Sequence, residues 1–383
     1  MKIVYLYTGL LTLGGADRVI TEKANYFADN LGYEVYIITD SQNNKPPIFP
    51  LSPKVKHIDL NILFGQQYEH SIIIRGVFYF KLMRIYRKKL TKILNEIQPD
   101  FTISVLGRDS DFITKLPDKS FKIGEAHISK RFMRNYHLME KKNLLYRIVC
   151  KIWKKKLYKC IKELSAFVVL TKEDADNWKE IRKSIVIPNS LPFYSNLSSP
   201  CTNKEIISVG RLDEQKGYDL LINVWKIVVK KHPDWSIHIY GNGELKDILK
   251  EQIRINKIEK SFILEGTVPN IEDKYMESSF YVMSSRFEGF GMVLIEAMSC
   301  GLPCVSFDCP NGPKDIINDG IDGLLVENGN IDQLAEKICY MIEHPEEIKR
   351  MGAAAKVNIK RYNPDIIMQK WVQLFKSLKN PQI

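Results

Sequence analysis

Hydrophobic residues fall into two kinds of run that alternate along the chain. Short continuous runs rich in Val, Ile, Tyr and Phe, at 2–7, 34–39, 55–60, 101–105, 121–125, 166–170 and 184–187, predict buried strands. Between most of them lie longer stretches with apolar positions three and four apart, such as 16–31 and 76–98, which predict helices. Residues 188–204, "PNSLPFYSNLSSPCTNK", carry Pro, Ser and Asn without a period and read as an interdomain linker. Alternation then resumes. Strands are expected at 205–209, 236–240, 261–264, 281–284, 304–307 and 323–326, with helices at 218–231, 244–256, 292–300 and 312–318. Helices 331–343, 345–362 and 364–378 complete the pattern.

This order predicts an α/β protein built from two Rossmann-like, doubly wound domains facing across a cleft. The first is expected at 1–190 and the second at 191–363, with the helix at 364–378 packing back on the first. A chain of 383 residues suits two domains, and 45% hydrophobic content lets each bury a core. Ligands of open α/β sheets gather at the carboxyl ends of strands, so candidate chemistry is sought there.

Residues 1–16 read as a strand entering a glycine-rich turn rather than as a signal peptide. Nowhere do eighteen apolar residues run uninterrupted, so no membrane-spanning helix is predicted and a cytoplasmic location is expected. The net charge of +11 is concentrated in the first half. Residues 122–163 hold thirteen Lys or Arg against three Glu, and 75–92 hold seven basic residues and no acid. Two expectations follow: a solvated face, or a surface for anionic phospholipid at the inner face of a membrane. Within 144–161 the apolar positions 145, 148, 149, 152, 153, 157 and 161 are helically spaced and are expected to pack on the core, leaving the lysines outside. A pI of 9.1 also raises nucleic-acid binding, but no stacking platform or binding motif accompanies it, so no nucleic-acid partner is expected. Seven cysteines, odd in number and irregularly spaced, argue against a disulfide framework; Cys300, Cys304 and Cys309 have no histidine nearby to complete a zinc set. They read as small buried hydrophobes.

Three segments could carry chemistry. Gly9, Gly14 and Gly15 lie in a turn that leaves the first strand and opens a helix, where backbone N–H groups and the helix dipole suit an anion; the spacing is not that of a dinucleotide fingerprint. In "SVGRLDEQKGYD" (208–219), Arg211 and Lys216 stand five apart on a loop at a strand's carboxyl end, which suits a diphosphate. The alternative is a surface loop whose cations pair with Asp213 and Glu214. In "SSRFEGFGMVLIEAMSCGLPCVSFDCPNGPKDII" (284–317), Glu288 follows a strand, Phe290 and Gly291 offer N–H groups at a helix start, and Glu296 follows with seven residues intervening. Two carboxylates beside a phosphate site could accept hydrogen bonds from sugar hydroxyls, or Glu296 could simply complement the helix dipole.

"GGADRVI", "VGRLDEQKG", "YGNGEL", "EGFGMVLIEAMSCGLPCVSFD" and "DGLLVENGN" occur in the order and spacing of glycosyltransferase family 4, which the chain resembles over nearly its whole length. The resemblance implies the two-domain B-type fold and a retaining transfer, with no metal or other cofactor, of a hexose or N-acetylhexosamine from a UDP-sugar. The implied acceptor is a glycan or a polyprenyl-diphosphate-linked oligosaccharide, as in capsule, O-antigen or glycoprotein-oligosaccharide synthesis. It gives Arg211 and Lys216 the donor diphosphate, Glu288 and the N–H groups of Phe290 and Gly291 the transferred sugar, and Glu296 the ribose hydroxyls. Thr267 and Val268 would border the base, and Gly14 and Gly15 would let the first domain close on the phosphates. His127 in "GEAHIS" resembles the family's active-site histidine near the anomeric carbon, with Glu125 in the same motif. An epimerase or phosphorylase-like enzyme of the same fold is the alternative.

Overall fold

The computed structural model describes residues 1–62, 64–65, 72–141, 143–181 and 184–380; Lys142 and the side chains of Arg75 and Leu145, counted in the patterns above, lie outside the described residues. Two compact units emerge. One comprises Met1–Leu170, Asp174–Ile187 and the segment from Met368 onward; the other comprises Thr171–Glu173 and Pro188–Ile367.

The first half of the chain runs β1 (Lys2–Tyr7), α1 (Gly15–Asp29), β2 (Glu34–Thr39), β3 (Val55–Asp59), α2 (Ile72–Ile97), β4 (Phe101–Ser104) and β5 (Phe121–Ala126). It continues with α3 (Tyr136–Glu140), α4 (Leu144–Glu163), β6 (Ala166–Val169), α5 (Lys172–Asn177) and β7 (Ser184–Val186). Its strands form one parallel sheet in the order β3-β2-β1-β4-β5-β6-β7, with Lys2 opposite Glu34 and Tyr7 opposite Thr39. Central strands covered on both faces need apolar residues at every position, and Ile3 to Leu6 are all fully buried. The order reverses between β1 and β4, so the loops leaving those two strands flank a switch point.

The second unit repeats the plan. It holds β8 (Glu205–Val209), α6 (Tyr218–Lys231), β9 (Ser236–Tyr240), α7 (Lys246–Ile255), β10 (Phe262–Gly266), α8 (Ile271–Glu277) and β11 (Phe280–Met283). Then come α9 (Met292–Ser299), β12 (Cys304–Asp308), α10 (Pro313–Ile316), β13 (Gly323–Glu327), α11 (Ile331–Glu343) and α12 (Pro345–Asn358). The parallel sheet reads β10-β9-β8-β11-β12-β13, reversing between β8 and β11. Both units are therefore Rossmann-like, as the alternation predicts. Local chemistry sets several boundaries. The Asn330 side chain caps α11 by accepting from Gln333 N–H at 3.1 Å, and Pro345 stands at the first turn of α12.

Four expectations need correction. Residues 188–204 are not a free linker: Leu191 N–H donates to Tyr362 O at 2.8 Å, Ser199 Oγ to Ser278 O at 2.6 Å, and Cys201 is buried. The segment lacks a period because it is a packed irregular strap whose backbone finds its partners elsewhere in the second unit. The helices α5 and α8 were not anticipated, since α8 buries a single side chain, Tyr275, and one contact makes no pattern. The helix expected at 312–318 shrinks to the four residues of α10 between Gly312 and Ile317. On α4, Ile148 and Ile152 face outward with Leu144, at 49%, 50% and 69% exposure, while Cys150, Leu157, Cys160 and Ile161 supply the buried side.

The last helix, α13 (Pro364–Lys379), brings Trp371 and Phe375 into the first unit, where the Phe375 ring lies 4.5 Å from Phe101 and 5.7 Å from Phe27. Truncating a buried aromatic of this kind costs about 3–5 kcal/mol.

Candidate active site

In the second sheet β8 and β11 are neighbours, so the loops leaving them, 210–217 and 284–291, run side by side. They are joined by backbone and side chain. Arg286 N–H donates to Gln215 O at 2.8 Å, Gln215 Nε2 to Phe287 O at 3.1 Å, and Ser284 Oγ to Lys216 O at 3.0 Å. Gly217 makes this approach feasible. Its φ is +65°, and a Cβ there would fall 2.2 Å from Ser284 O.

The Lys216 ammonium lies 2.7 Å from Glu288 Oε1, which also accepts from Ser285 Oγ at 2.6 Å. The two side chains are only 14% and 7% exposed, so each ion offsets the cost of withdrawing the other from water. Arg211 behaves differently. Its side chain is 67% exposed and meets Asp213 at 3.0 Å and Gln215 Oε1 at 3.2 Å. Of the two readings of this loop, local pairing thus describes Arg211, while Lys216 reaches across to Glu288. An exposed pair is worth roughly 0–1 kcal/mol, so Arg211 can turn toward an anion at small cost.

Downstream of Glu288 the chain bends at Gly291, φ +100°, which caps α9 without a side-chain acceptor. The first-turn N–H groups of a helix have no intrahelical partner and carry the positive end of its dipole. Phe290 is buried and packs edge-on against Tyr362, with centroids 5.5 Å apart. The loop after β12 supports this bend from behind: Glu288 N–H donates to Pro310 O at 3.0 Å, and at Gly312, φ +135°, a Cβ would meet Phe290 O at 2.1 Å. Glu296, in the second turn of α9, is buried and accepts from Tyr275 Oη of α8 at 3.1 Å. Lys216, Glu288, Phe290 and Gly291 therefore share one strand-end region, with Glu296 on the helix it opens. Thr267 and Val268 follow directly on β10, Thr267 exposed; among the described residues no hydrogen bond or ion pair joins them to the Lys216–Glu288 pair.

In the first unit Gly14 caps α1 and Gly15 opens it. The loop before them is tied down by Asp17, which sequence reasoning passed over. It is buried, and accepts from Tyr7 Oη at 2.6 Å and from Thr12 N–H at 2.7 Å. Burial, then the hydrogen bond and charge of Asp17, push the Tyr7 hydroxyl far above its ordinary value. His127 directly follows β5; its ring is 9% exposed, with Nε2 3.4 Å from Glu125 Oε1. Glu125 is itself buried and paired with Lys23 of α1. Burial alone would push the Glu125 carboxyl up, but the Lys23 ammonium and the His127 ring bring it down from 4.5 to about 2.

Sequence reasoning also missed Arg286, which forks onto Asp219, and Ser285; both lie inside the segment it singled out, but nothing in their spacing distinguishes them. Cys300, Cys304 and Cys309 are buried, and burial raises all three thiols.

Residues 195–358 match the family of glycosyl transferases group 1. An uncharacterized glycosyltransferase of Haemophilus influenzae is 29% identical over 375 residues, covering 97% of this chain and 98% of that protein. The amylovoran biosynthesis glycosyltransferase AmsD of Erwinia amylovora is 27% identical over 380 residues, with 97% and 98% covered. In three dimensions the chain is similar to TarM of S. aureus, solved with UDP and alpha-GlcNAc-glycerol, at a TM-score of 0.80 and 18% identity, covering 98% of this chain and 100% of that one. The match to glycosyl transferases group 1 thus spans most of the second unit, and the fold of the whole chain is similar to that of TarM.

Proposed function

We propose that the protein is a retaining family 4 enzyme that transfers a hexose or N-acetylhexosamine from a UDP-sugar to a glycan or lipid-linked acceptor in cell-surface polysaccharide synthesis. The observation that carries this reading is the Lys216–Glu288 pair, 2.7 Å apart beside the glycine-capped start of α9. A transferred sugar and its leaving diphosphate need a carboxylate for hydroxyls and positive groups for phosphate oxygens. Here the two stand together where α/β sheets receive ligands.

In this reading Lys216, Arg211 and the N–H groups of Phe290 and Gly291 stabilise charge on the departing UDP without a metal. Glu288 holds the sugar, Glu296 the ribose, and Thr267 and Val268 border the base. His127 serves the sugar near its anomeric carbon, and Gly14 and Gly15 accommodate the phosphates. Front-face displacement suits this set, because no second carboxylate is assigned as a nucleophile. AmsD, by its name, works in amylovoran biosynthesis and TarM was solved with UDP, which supports the donor and the pathway class.

Anionic phospholipid is the surface proposed to lie under the basic face of α4. Leu144, Ile148 and Ile152 are exposed there among Arg147, Lys151, Lys155, Lys156 and Lys159.

The test is UDP release from a panel of UDP-, GDP- and ADP-sugars with and without a polyprenyl-diphosphate-linked acceptor, with the product's anomeric configuration read by NMR. Acceptor-dependent release from a UDP-sugar, with the α-linkage of the donor kept, is expected. Turnover of the sugar nucleotide without any acceptor would favour an epimerase, and phosphate-dependent turnover a phosphorylase. Salt-sensitive binding to RNA with no response to any nucleotide sugar would sink the enzyme reading.

A further inference from the structure

α1 turns Val19, Ile20, Ala24, Phe27 and Ala28 into the first unit, and Lys23 lies on the same side at 3% exposure. Helical spacing places position 23 in that apolar stripe, four residues after Val19 and four before Phe27. An ammonium so placed has to be matched or it is not tolerated. Three elements match it: Glu125 of β5 by an ion pair, Trp371 of α13 with its ring centroid 4.4 Å away, and Tyr5 of β1 with its ring 5.9 Å away.

A methionine would fill this place with no charge to balance, and buried ion pairs commonly stabilise no more than the apolar side chains that replace them. Packing alone therefore does not account for the lysine; its neighbour does. The Glu125 oxygen that takes the ammonium is the same Oε1 that lies 3.4 Å from His127 Nε2, a close approach rather than a hydrogen bond; among the described residues neither Glu125 Oε2 nor His127 Nε2 has a hydrogen-bond partner. One carboxylate oxygen is shared between the Lys23 ammonium and an imidazole; burial pulls the ammonium below its ordinary value, and Glu125 opposes that pull.

We infer that Lys23 is a positioning residue for His127: it supplies the counter-charge that keeps Glu125 ionised in a dry site, so that the Glu125 carboxylate faces the Nε2 edge of the imidazole and sets the orientation of the ring. The inference rests on the reading of His127 given under the proposed function. The charges balance without the histidine, because Lys23 already neutralises Glu125. The other titratable group facing the pair is the Tyr5 hydroxyl of β1; Trp371 of α13 brings none.

The test uses the full chain, with His127 tautomer and titration midpoint read by long-range ¹⁵N NMR and assigned by the signal lost in His127→Ala. In the unsubstituted protein the Nε2–H tautomer, facing the Glu125 carboxylate, is expected to predominate in the unprotonated ring. In Lys23→Met the carboxylate takes its counter-charge from the imidazole, so the His127 midpoint should rise by about one unit or more. Donor turnover in that variant should fall at least tenfold in kcat with KM changed less than threefold. In Lys23→Met/Glu125→Gln, which leaves no unmatched charge, the upward shift should vanish and the tautomer preference with it. A folded Lys23→Met protein with unchanged midpoint, tautomer and kcat would overturn the inference. If that variant does not fold, a double variant keeping the Nε2–H tautomer and full kcat would overturn it instead. Full turnover in His127→Ala would sink the assignment of His127 to the sugar, yet leave the spectral test of Lys23 standing, so the two failures are distinguishable.

Discussion

Arg286 and Asp219 meet through two nearly parallel hydrogen bonds, Nη1 to Oδ1 at 2.8 Å and Nη2 to Oδ2 at 2.6 Å. Arg286 belongs to the loop after β11 and Asp219 to the first turn of α6, so the fork fastens together the two loops that carry Glu288 and Lys216. Its Nη1 also donates to Glu214 O at 2.9 Å. A planar guanidinium holds both geometry and charge here in a way a lysine would not.

Asp219→Asn should therefore lower kcat several-fold while reducing stability by only about 1 kcal/mol, since the pair is partly solvated. Hydrogen bonding from Arg286 holds the Asp219 carboxyl below its ordinary 3.8. A depressed acid contributes stability above its unfolded value and loses it as pH falls. Denaturation midpoints of the two proteins should differ at pH 7 and converge below about pH 4. A constant difference across that range would mean the ion pair is not the cause.

Lys216→Ala and Glu288→Ala should each lower turnover at least tenfold with the fold intact. Loss of one preorganised electrostatic contact typically costs on the order of 10²–10³. Each substitution also leaves its partner unmatched at low exposure, so circular dichroism and melting must accompany the kinetics. Folded and fully active variants would remove the site assignment.

Glu296→Ala should act mainly on donor affinity, raising KM for the UDP-sugar more than it lowers kcat. Tyr275→Phe, which deletes the 3.1 Å hydrogen bond to Glu296 but leaves the carboxylate, should give the same effect at smaller size. Donor titrations on both variants provide the comparison, and a pure kcat effect would move Glu296 from the ribose to the reacting sugar.

The sequence carried the architecture because apolar runs and helical periods are imposed by burial. β1, β2, β8 and β9 coincide with the expected ranges, and so do α6 and α11. It singled out Lys216, Glu288 and Gly291, which the fold brings to one strand-end region, because loops at strand ends concentrate glycines and charges at short range. Contacts distant in sequence were not legible: nothing near Lys23 in the chain singles it out, because Glu125 and Trp371 reach it from β5 and α13. Likewise Ile148 and Ile152 satisfy a helical period, but a period does not say which side of the helix meets the core. The strap at 188–204 shows the converse, since an irregular composition reads as a linker whether or not its backbone is packed.

The outward side of α4 gives a binding prediction. Ile148→Glu/Ile152→Glu should reduce sedimentation with vesicles rich in phosphatidylglycerol, and so should raising the salt concentration, because the proposed contact combines apolar insertion with charge. Melting should be unchanged, as both side chains are about half exposed. Equal sedimentation of variant and parent would leave this face merely solvated.

Asp109 contributes a pH dependence to the first unit that a single substitution isolates. It follows β4 on the loop at the first switch point, is 3% exposed, and has no hydrogen-bond partner at Oδ2 among the described residues. Burial raises its carboxyl from 3.8 to about 6 against the opposing pull of Ser104 and Arg134. The folded protein thus holds a proton between those values that the unfolded chain has released. Folding is unpenalised below about pH 4, and the penalty grows as pH rises and is complete above about 6. At ~1.4 kcal/mol per unit its upper bound is about 3 kcal/mol. Asp109→Asn keeps the shape and removes the ionisation, so it should melt higher than the parent at pH 7 and level with it at pH 4. A variant that loses stability at pH 7 would show that the carboxylate is held charged by partners stronger than those around it here.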